Sequence, residues 1–370
     1  MILAPKGIDS AEAAGGRLGA VLAAPRDGLV ELGSRFAWLA TTPDLVKHVL
    51  ATPDDFDFPG DVSRSGDLSA SRGDTRSGHL LFDPPNSSEV AAGVATFIAA
   101  WEAAVSAHDQ ATPGAPYDAT QLLRTAVARA TTAALLPSVP ADERTEVADL
   151  VLGWIDALGP VIAARRPPKR WSRTRRREAA SRVRLENTLA DVLPPDASAP
   201  MMATFLAAGI QVPIAAGAWL LAWTSACPDD DLDPLHVVWE TLRLSPPTWT
   251  TARVARRDLE LDGQRIDKGS IVWASPLLLG RNDDLVPGGS LADFRPDRWR
   301  AATPRPGAWL PFGAGPHACP GRNLGIALLR ELASWAGRHD LALVQQVRYD
   351  QSRGIVPTSC LFTRRPKAVT

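Results

Sequence analysis

The stretch of sequence that decides the fold is residues 311–321, which read PFGAGPHACPG. It sets Cys319 among small residues, with Gly313 and Gly315 before it and Pro320-Gly321 after it. Glycine lets a backbone turn sharply and approach a ligand closely. A cysteine needed only for packing does not require this freedom. The stretch therefore indicates a loop against which something large lies.

The composition describes an ordinary globular chain. The 370 residues are 45% hydrophobic and 22% charged, and the net charge is −1. This balance predicts no general attraction to nucleic acid or to a membrane, and we see no unbroken apolar run long enough to cross a bilayer. The three cysteines are widely spaced and odd in number. They argue against a disulfide framework and favour a reducing, cytoplasmic location.

Helical spacing of apolar residues dominates the chain, interrupted by short strand patterns. We expect two strands within 28–41, a hairpin turn at Asp262-Gly263, and helices within 42–52, 87–169, 164–193, 199–226, 233–244 and 322–337. The predicted fold class is mainly α with small β-sheets. We expect a single domain over 1–370, with a sheet-rich N-terminal part to about residue 60 and a helical part from about 61.

Several kinds of site compete for Cys319. Zinc requires about four ligands, yet only His317 lies near it and no C-x-x-C pattern occurs. A nucleophilic cysteine needs a base that the fold must bring close, and a buried structural cysteine does not explain the glycines. A haem-thiolate ligand explains the whole stretch, because the flat macrocycle needs close approach and the sulfur needs backbone N–H groups. The helix that begins near Gly321 would direct its positive end at the thiolate.

The chain resembles the cytochrome P-450 family of haem-thiolate enzymes. The resemblance rests first on Phe312-Gly313-x-Gly315-x-His317-x-Cys319-Pro320-Gly321. Upstream, and in the family's order, lie Glu240-x-x-Arg243, Arg253 and Phe294-x-Pro296-x-Arg298-Trp299. Because independent motifs agree in order, the resemblance covers nearly the whole chain.

The resemblance implies haem b with Cys319 as the axial ligand to its iron. The other residues implied to bind the cofactor are Ala208, Arg253, Phe312, Gly313, His317 and Gly321. Glu240, Arg243 and Arg298 are implied to form a buried structural triad without a chemical role. The expected activity is oxidation of a small or medium organic substrate in secondary metabolism, using dioxygen and electrons from a ferredoxin and its reductase. A monomer is expected.

The central helix departs from the family pattern. The family usually shows A-G-x-[DE]-T-[TS] there, whereas residues 208–213 read AGIQVP. Gly209, Gln211 and Val212 are the candidate catalytic residues, and Gly209 is expected to leave room for oxygen. Gln211 and Val212 replace the acid and alcohol of a proton relay, and neither side chain titrates. Pro213 also removes one helix N–H.

This departure leaves alternatives open. The chain can be an ordinary monooxygenase in which water or a substrate hydroxyl relays protons. The same scaffold can instead run oxidative coupling, peroxide-driven oxidation or nitrene-type group transfer. A third hypothesis, of another class, is a non-enzymatic protein that only binds haem or recruits a partner.

The proposed electron-donor side also departs from the family. Residues 82–94, FDPPNSSEVAAGV, resemble the family's D-P-P-x-H-T-x-x-R-R segment, but Ser87 replaces the histidine, and Ala91 and Ala92 replace the arginines. No Lys or Arg occurs from Ser77 through Leu123. We therefore expect weak charge-driven docking of a ferredoxin, and Arg253 and His317 must bind the propionates without the usual helpers.

Family position also predicts a substrate pocket and a lid. The pocket residues are Phe205, Trp249, Thr250, Thr251, Val356, Pro357 and Thr358. The basic stretch 165–177 falls at the lid between two mobile helices. It is either a solvated helix end or a docking site for an acidic partner such as a carrier protein.

Overall fold

A computed structural model describes residues 14–34, 37–57, 83–164, 168–169, 171–227, 232–282, 292–301, 309–350 and 355–367. The Gly-, Ser- and Asp-rich segment 58–82 lies outside these residues. So do Arg165, Arg166 and Arg170 of the basic stretch.

The described residues are mainly helical, which confirms the predicted fold class. The helices are α1 Gly16–Leu22, α2 Pro43–Ala51, α3 Ser87–Ala111, α4 Ala119–Leu135, α5 Ala141–Ile162, α6 Arg173–Val192, α7 Ala199–Thr224, α8 Pro234–Leu244, α9 Pro276–Leu279 and α10 Arg322–Gly337. Short 3-10 turns cover Pro296–Ala301 and Gly315–His317.

Four small sheets complete the fold. A five-stranded sheet has the order β1-β2-β8-β5-β3, and a three-stranded sheet has the order β4-β12-β9. Two further pairs are β10 with β11 and β6 with β7. The strands are β1 Leu29–Ser34, β2 Ala37–Ala40, β3 Phe56–Asp57, β4 Tyr117–Asp118, β5 Thr251–Ala255, β6 Leu259–Leu261, β7 Gln264–Ile266, β8 Ile271–Ala274, β9 His339–Leu343, β10 Arg348–Asp350, β11 Val356–Ser359 and β12 Leu361–Pro366.

The sheet topology joins the N-terminal strands to a later part of the chain. Strand β2 pairs in parallel with β8, so that Ala40 lies opposite Ala274, and β3 pairs with β5. The N-terminal strands therefore do not form a separate part, because they complete a sheet whose other strands come from residues 251–274. The expected hairpin turn is present, with positive φ at both Asp262 and Gly263.

Helix α7 runs through the centre of the molecule. It contains no charged residue, and it packs against α4, α5, α6, α8 and α10. At Gly217 an added Cβ would lie 2.9 Å from a Leu123 methyl group and 3.0 Å from a Leu332 methyl group. The bare backbone therefore lets α4 and α10 close on α7, as a helix that is apolar on all sides requires.

Length and hydropathy alone would allow α3 and α7 to cross a membrane, although polar residues interrupt the apolar run in both. In α7, 72% of the apolar window is buried within the protein, and in α3 28% is buried. Helix α3 packs on α4 and α10. Its Trp101 ring meets Trp335 of α10 edge-on, with ring centres 5.0 Å apart. Both helices thus pack within the fold.

Candidate functional site

The cysteine loop, residues 310–321, is a tight, internally bonded turn. The Cys319 N–H donates to the Phe312 carbonyl at 2.9 Å, and the Gly313 N–H donates to the Leu310 carbonyl at 3.1 Å. Gly313 and Gly315 have φ values of 70° and 72°, a region that favours glycine. The loop ends at Gly321, the N-cap residue of α10. The fold therefore fixes Cys319 at the positive end of a long helix.

The Cys319 thiol is accessible although protein atoms surround it. Desolvation raises the thiol pKa, whereas a hydrogen bond from the Gly321 backbone and the charge of Arg322 act in the opposite direction. An added Cβ at Gly321 would lie 4.0 Å from the sulfur. The described residues hold no group of three or more His, Cys, Asp or Glu that could bind a metal ion.

Close packing against α2 requires a glycine at position 315, a requirement that the sequence alone did not show. A Cβ at this position would come 2.6 Å from the Ala51 Cα and 2.7 Å from the Leu50 carbonyl of α2. The glycine thus lets the cysteine loop sit on α2. At Gly313 nothing described lies within 4 Å of an added Cβ, so the positive φ alone favours glycine there.

Arg253 and His317 lie close enough for their charges to interact. Burial lowers the pKa of Arg253 to about 10, while Asp57 opposes this shift. Burial, and then the charge of Arg253, lowers the pKa of His317. Asp57 on β3 was not predicted, since β3 meets β5 only through the sheet. The structure thus brings the two predicted propionate partners together and adds an acid beside them.

A buried ion network brings together Glu240, Arg243 and Arg298. Glu240 accepts from Arg243 at 2.8 and 2.9 Å and from Arg298 at 2.9 Å. The Trp299 indole N–H and the Arg295 backbone N–H each donate to it at 2.9 Å. All three ionic side chains are 0% exposed. Both carboxylate oxygens are therefore bonded, as a buried charge requires.

Aromatic rings link this network to the cysteine loop. Trp299 packs edge-on against Trp239 with ring centres 5.8 Å apart, and Trp239 packs against Trp309 at 6.2 Å. The Trp309 ring lies 5.9 Å from Phe312. Its indole N–H donates to the Trp239 carbonyl at 3.0 Å. A chain of ring contacts therefore connects the cysteine loop to the buried Glu240 network.

Helix α7 leaves one line of side chains accessible. Thr204, Ala208 and Val212 are exposed, one helical turn apart, while Ile210 and Ile214 are buried. Phe205 and Gln211, beside that line, are half-buried. Thr204 was not predicted, although its spacing to Ala208 and Val212 carries the signal. Accessible side chains of this kind on a core helix indicate the wall of a binding site.

Gly209 does not lie on that accessible line. The only described atom within 4 Å of a Cβ added there is the Thr131 Cγ2 of α4, at 3.0 Å. The Thr131 hydroxyl donates to the Gly209 carbonyl at 3.1 Å. The missing side chain therefore accommodates α4, a reason different from the expected room for oxygen.

The predicted pocket residues divide into two groups. Trp249 is 2% exposed and packs with Leu277 and Ile355, and Pro357 is also buried. Both side chains are thus covered by core residues, and their place on the pocket wall stays a prediction. The others remain accessible: Thr250, Thr251 and Val356 are half-exposed, and Thr358 is exposed.

The start of α3 lies beside the start of α10. A Cβ added at Gly93 would come 2.8 Å from a Leu324 methyl group. Ser87, Ala91 and Ala92 are exposed on the first turns of α3. A capping box between Asn86 and Glu89 begins the helix. The edge where arginines were expected is therefore an accessible surface that carries Glu89 and no basic residue on the first turns of α3.

These features fit a haem. The accessible thiol, bonded by a backbone N–H at a helix N-terminus, suits an iron ligand. The pair Arg253 and His317 suits the anionic edge of the macrocycle, and the apolar line on α7 suits its face. Cys319, Arg253 and His317 are the residues that would hold it.

Comparisons with known proteins agree with this geometry. A family model described as "Cytochrome P-450" matches residues 235–332. A Streptomyces melanosporofaciens protein, cyclooctat-9-en-7-ol 5-monooxygenase, is 28% identical over 364 residues, covering 80% of this chain and 78% of the relative. Sterol 14alpha-demethylase of Mycobacterium tuberculosis is 37% identical over 147 residues, covering 36% of this chain and 32% of the relative.

The fold has a solved counterpart in CYP175A1 from Thermus thermophilus. That structure matches with a TM-score of 0.68 at 20% identity and covers 91% of each chain. The family-model match over the triad and cysteine loop, the relative aligned over 80% of the chain and the shared fold agree with one another. The chain is therefore similar to bacterial-type cytochromes P-450, and these comparisons support a haem-thiolate oxidoreductase of secondary metabolism.

Proposed function

We propose that the chain binds haem b through Cys319 and inserts oxygen from dioxygen into a small or medium apolar substrate. The observation that carries the proposal is the accessible Cys319 thiol at the N-terminus of α10, with the Gly321 backbone bonded to the sulfur. Helix dipole and backbone N–H both favour the thiolate form.

The protein's own groups bind, orient and exclude water. Cys319 would ligate the iron, Arg253 would pair with the negative charge of the propionates, and His317 would donate a hydrogen bond to them. Ala208 and Val212 would line the substrate side of the site and exclude water. When bound, the haem supplies the redox chemistry, to which a thiolate ligand adds electron density.

The α7 wall supports an apolar substrate. Phe205, Ala208 and Val212 offer no hydrogen-bonding group, and Thr204 donates to the Pro200 carbonyl of its own helix at 3.0 Å. The Streptomyces relative is named for a reaction on an unsaturated alcohol. We infer a largely hydrocarbon substrate with few polar groups.

The carbon monoxide difference spectrum of the reduced protein tests the ligand assignment. We expect the thiolate-type band in the wild type and its loss in Cys319→Ala. The matched control is Cys227→Ala, which changes a partly exposed cysteine far from the loop in sequence and should keep the band. A wild-type protein that binds haem without that band would overturn the proposal.

A second candidate is chemistry that needs no proton relay, such as oxidative coupling, peroxide-driven oxidation or nitrene-type transfer. Gln211 and Val212 favour it, because neither can pass a proton. Turnover under labelled dioxygen separates the two candidates. Label in the product supports monooxygenation, and a product without label supports the second candidate.

Electron delivery by a ferredoxin and its reductase is proposed to depend little on charge. The described part of the donor side offers α3, which contains no Lys or Arg, so steering by opposite charge is weak. We expect the reduction rate by a generic ferredoxin–reductase pair to be low and nearly independent of salt. Fast reduction that slows steeply with salt would contradict this.

We propose an acidic carrier protein as a partner of the basic stretch. Trp171 is 73% exposed, with Lys169 about 6.0 Å from its ring centre. Arg176 and Arg177 are exposed beside them, whereas Arg175 lies 3.5 Å from the buried Glu178. Arg176→Glu with Arg177→Glu should abolish binding of a substrate-loaded carrier protein, and the control Lys268→Glu should not. Unchanged binding would favour a solvated helix end.

A monomer in the cytoplasm is the proposed working state. Sedimentation at several concentrations tests the first part, and fractionation of the source cells tests the second. A concentration-dependent dimer or a membrane-bound pool would contradict the respective part.

A further inference from the structure

Pro213 leaves a carbonyl of α7 without its regular partner. In an α-helix the carbonyl of residue 209 accepts from the N–H of residue 213. Residue 213 is a proline inside the helix and has no N–H. The Gly209 carbonyl therefore needs a donor from elsewhere, since buried carbonyls are rarely left unbonded.

Thr131 of α4 supplies that donor. Its side chain is 0% exposed, and its hydroxyl donates to the Gly209 carbonyl at 3.1 Å. The next residue, Thr132, behaves differently, because its hydroxyl donates to the Ala128 carbonyl of its own helix at 3.1 Å. A threonine inside a helix usually bonds its own backbone in this way. Thr131 instead bridges two helices.

Gly209 makes the bridge sterically feasible. A Cβ on residue 209 would lie 3.0 Å from the Thr131 Cγ2, closer than ordinary carbon contacts. The three residues are thus matched: Pro213 removes a donor, Gly209 admits the neighbouring helix, and Thr131 replaces the donor. The bridged residue adjoins Ala208 and lies one turn before Pro213.

We propose that Thr131 is a positioning residue for the haem-facing wall. Its hydroxyl keeps the Gly209 carbonyl directed toward α4, and so fixes the turn of α7 that presents Ala208 and Val212. The inference rests on the proposed function, which places this turn beside the haem. It explains how a helix interrupted by proline keeps an apolar face there.

The chemical consequence concerns water. A carbonyl bonded to Thr131 on the α4 side is not offered to a water molecule beside Val212. Without the Thr131 hydroxyl, the carbonyl would need another donor, and water is the available one. Losing the hydroxyl should therefore make the wall wetter as well as less stable.

A double-mutant cycle tests the bond itself. Thr131→Val removes the hydroxyl, and Pro213→Ala restores the backbone N–H. With Pro213 in place, we expect Thr131→Val to raise the equilibrium constant for unfolding by roughly fivefold or more. In the Pro213→Ala background the increase should fall below about twofold. Equal increases in both backgrounds would overturn the inference.

Spectroscopy of the haem-bound protein tests positioning. We expect Thr131→Val to shift the stretching frequency of carbon monoxide on the reduced iron and to increase the low-spin fraction of the ferric protein. Thr131→Ser, Thr132→Val and Thr131→Val with Pro213→Ala should all resemble the wild type. No shift in Thr131→Val, or an equal shift in Thr132→Val, would overturn the inference.

The remaining outcomes are also decisive. If Thr131→Val alone does not fold, Thr131→Val with Pro213→Ala must fold and match Pro213→Ala, or the inference is wrong. A missing thiolate band would contradict the proposed function, whereas the unfolding measurements need no haem. If the effects of Thr131→Val and Pro213→Ala on unfolding are additive in a protein that shows the band, only this inference is wrong.

Discussion

The cysteine side and the α7 side of the proposed haem site are built in opposite ways. On the cysteine side a buried carboxylate, Glu240, is bonded by two arginines, an indole and a backbone N–H. On the other side α7 carries no charge, and Thr131 reaches it from α4. In the proposed site, cofactor binding thus depends on polar groups with fixed partners. The choice of reaction depends on the wall formed by α7, which offers almost no polar group.

The strongest way to break the cysteine side is Glu240→Gln. It leaves Arg243 and Arg298 buried without a countercharge, which should cost about 3–5 kcal/mol of unfolding free energy. Urea unfolding of wild type and variant measures this. The matched control is Glu260→Gln on β6, an exposed acid, which should change stability by less than about 0.5 kcal/mol. A small loss at Glu240 would mean that the triad is not structural.

Restoring the acid and alcohol of a proton relay tests the role of the α7 side. We expect Gln211→Glu with Val212→Thr to raise oxygen-dependent turnover by about a hundredfold, the scale of a positioned proton donor. Product formed per electron consumed should rise with it. Val212→Ala, which adds no hydroxyl, is the control. Turnover that the double variant leaves unchanged would show that the reaction does not wait for proton delivery.

Trp299→Phe tests one bond of the buried network. The phenyl ring fills most of the indole's space but cannot donate to Glu240, so about 2 kcal/mol of stability should be lost. Trp273→Phe in β8, a partly exposed tryptophan, is the comparison. Urea unfolding again gives the result. Equal losses in both variants would assign the effect to ring packing instead of the bond.

The pH dependence of haem binding tests the cysteine side alone, because it depends on the Cys319 thiol. Desolvation raises the pKa of the free Cys319 thiol above its ordinary value, whereas an iron-bound sulfur is deprotonated. Binding therefore releases a proton, and affinity should rise by up to about tenfold per pH unit below the thiol's pKa. Competition with a haem-free globin measures it. Cys319→Ala should lose this dependence, and a slope that persists would assign it to other groups.

Motifs predicted the cysteine side better than the α7 side. Glu240, Arg243 and Arg298 could be named because two of them lie one helical turn apart and the third follows a recognisable segment. Trp299 stands in that segment, but its bond to Glu240 and the bond from the Arg295 backbone N–H could not be predicted, since both form only after folding. Asp57 was missed for the same reason, because only sheet pairing brings it near Arg253.

On the α7 side the sequence showed what was missing but not what replaced it. Gln211, Val212 and Pro213 stand out in the sequence itself. The Thr131 bond joins residues 78 positions apart, and the local sequence around Thr131 matches an ordinary helix. The burial of Trp249 could not be predicted either, because the sequence around an aromatic residue does not distinguish a pocket wall from a core.

The contact of Gly315 with Ala51 and the Leu50 carbonyl has a consequence for the order of folding. The ligand loop rests on a helix from the beginning of the chain, so its final shape is a long-range contact that forms late. During synthesis, α2 cannot contact the cysteine loop until most of the chain has emerged. Haem can therefore be captured in its final geometry only after both ends of the chain have met. A chain that lacks α2 would therefore lose the surface on which the cysteine loop rests.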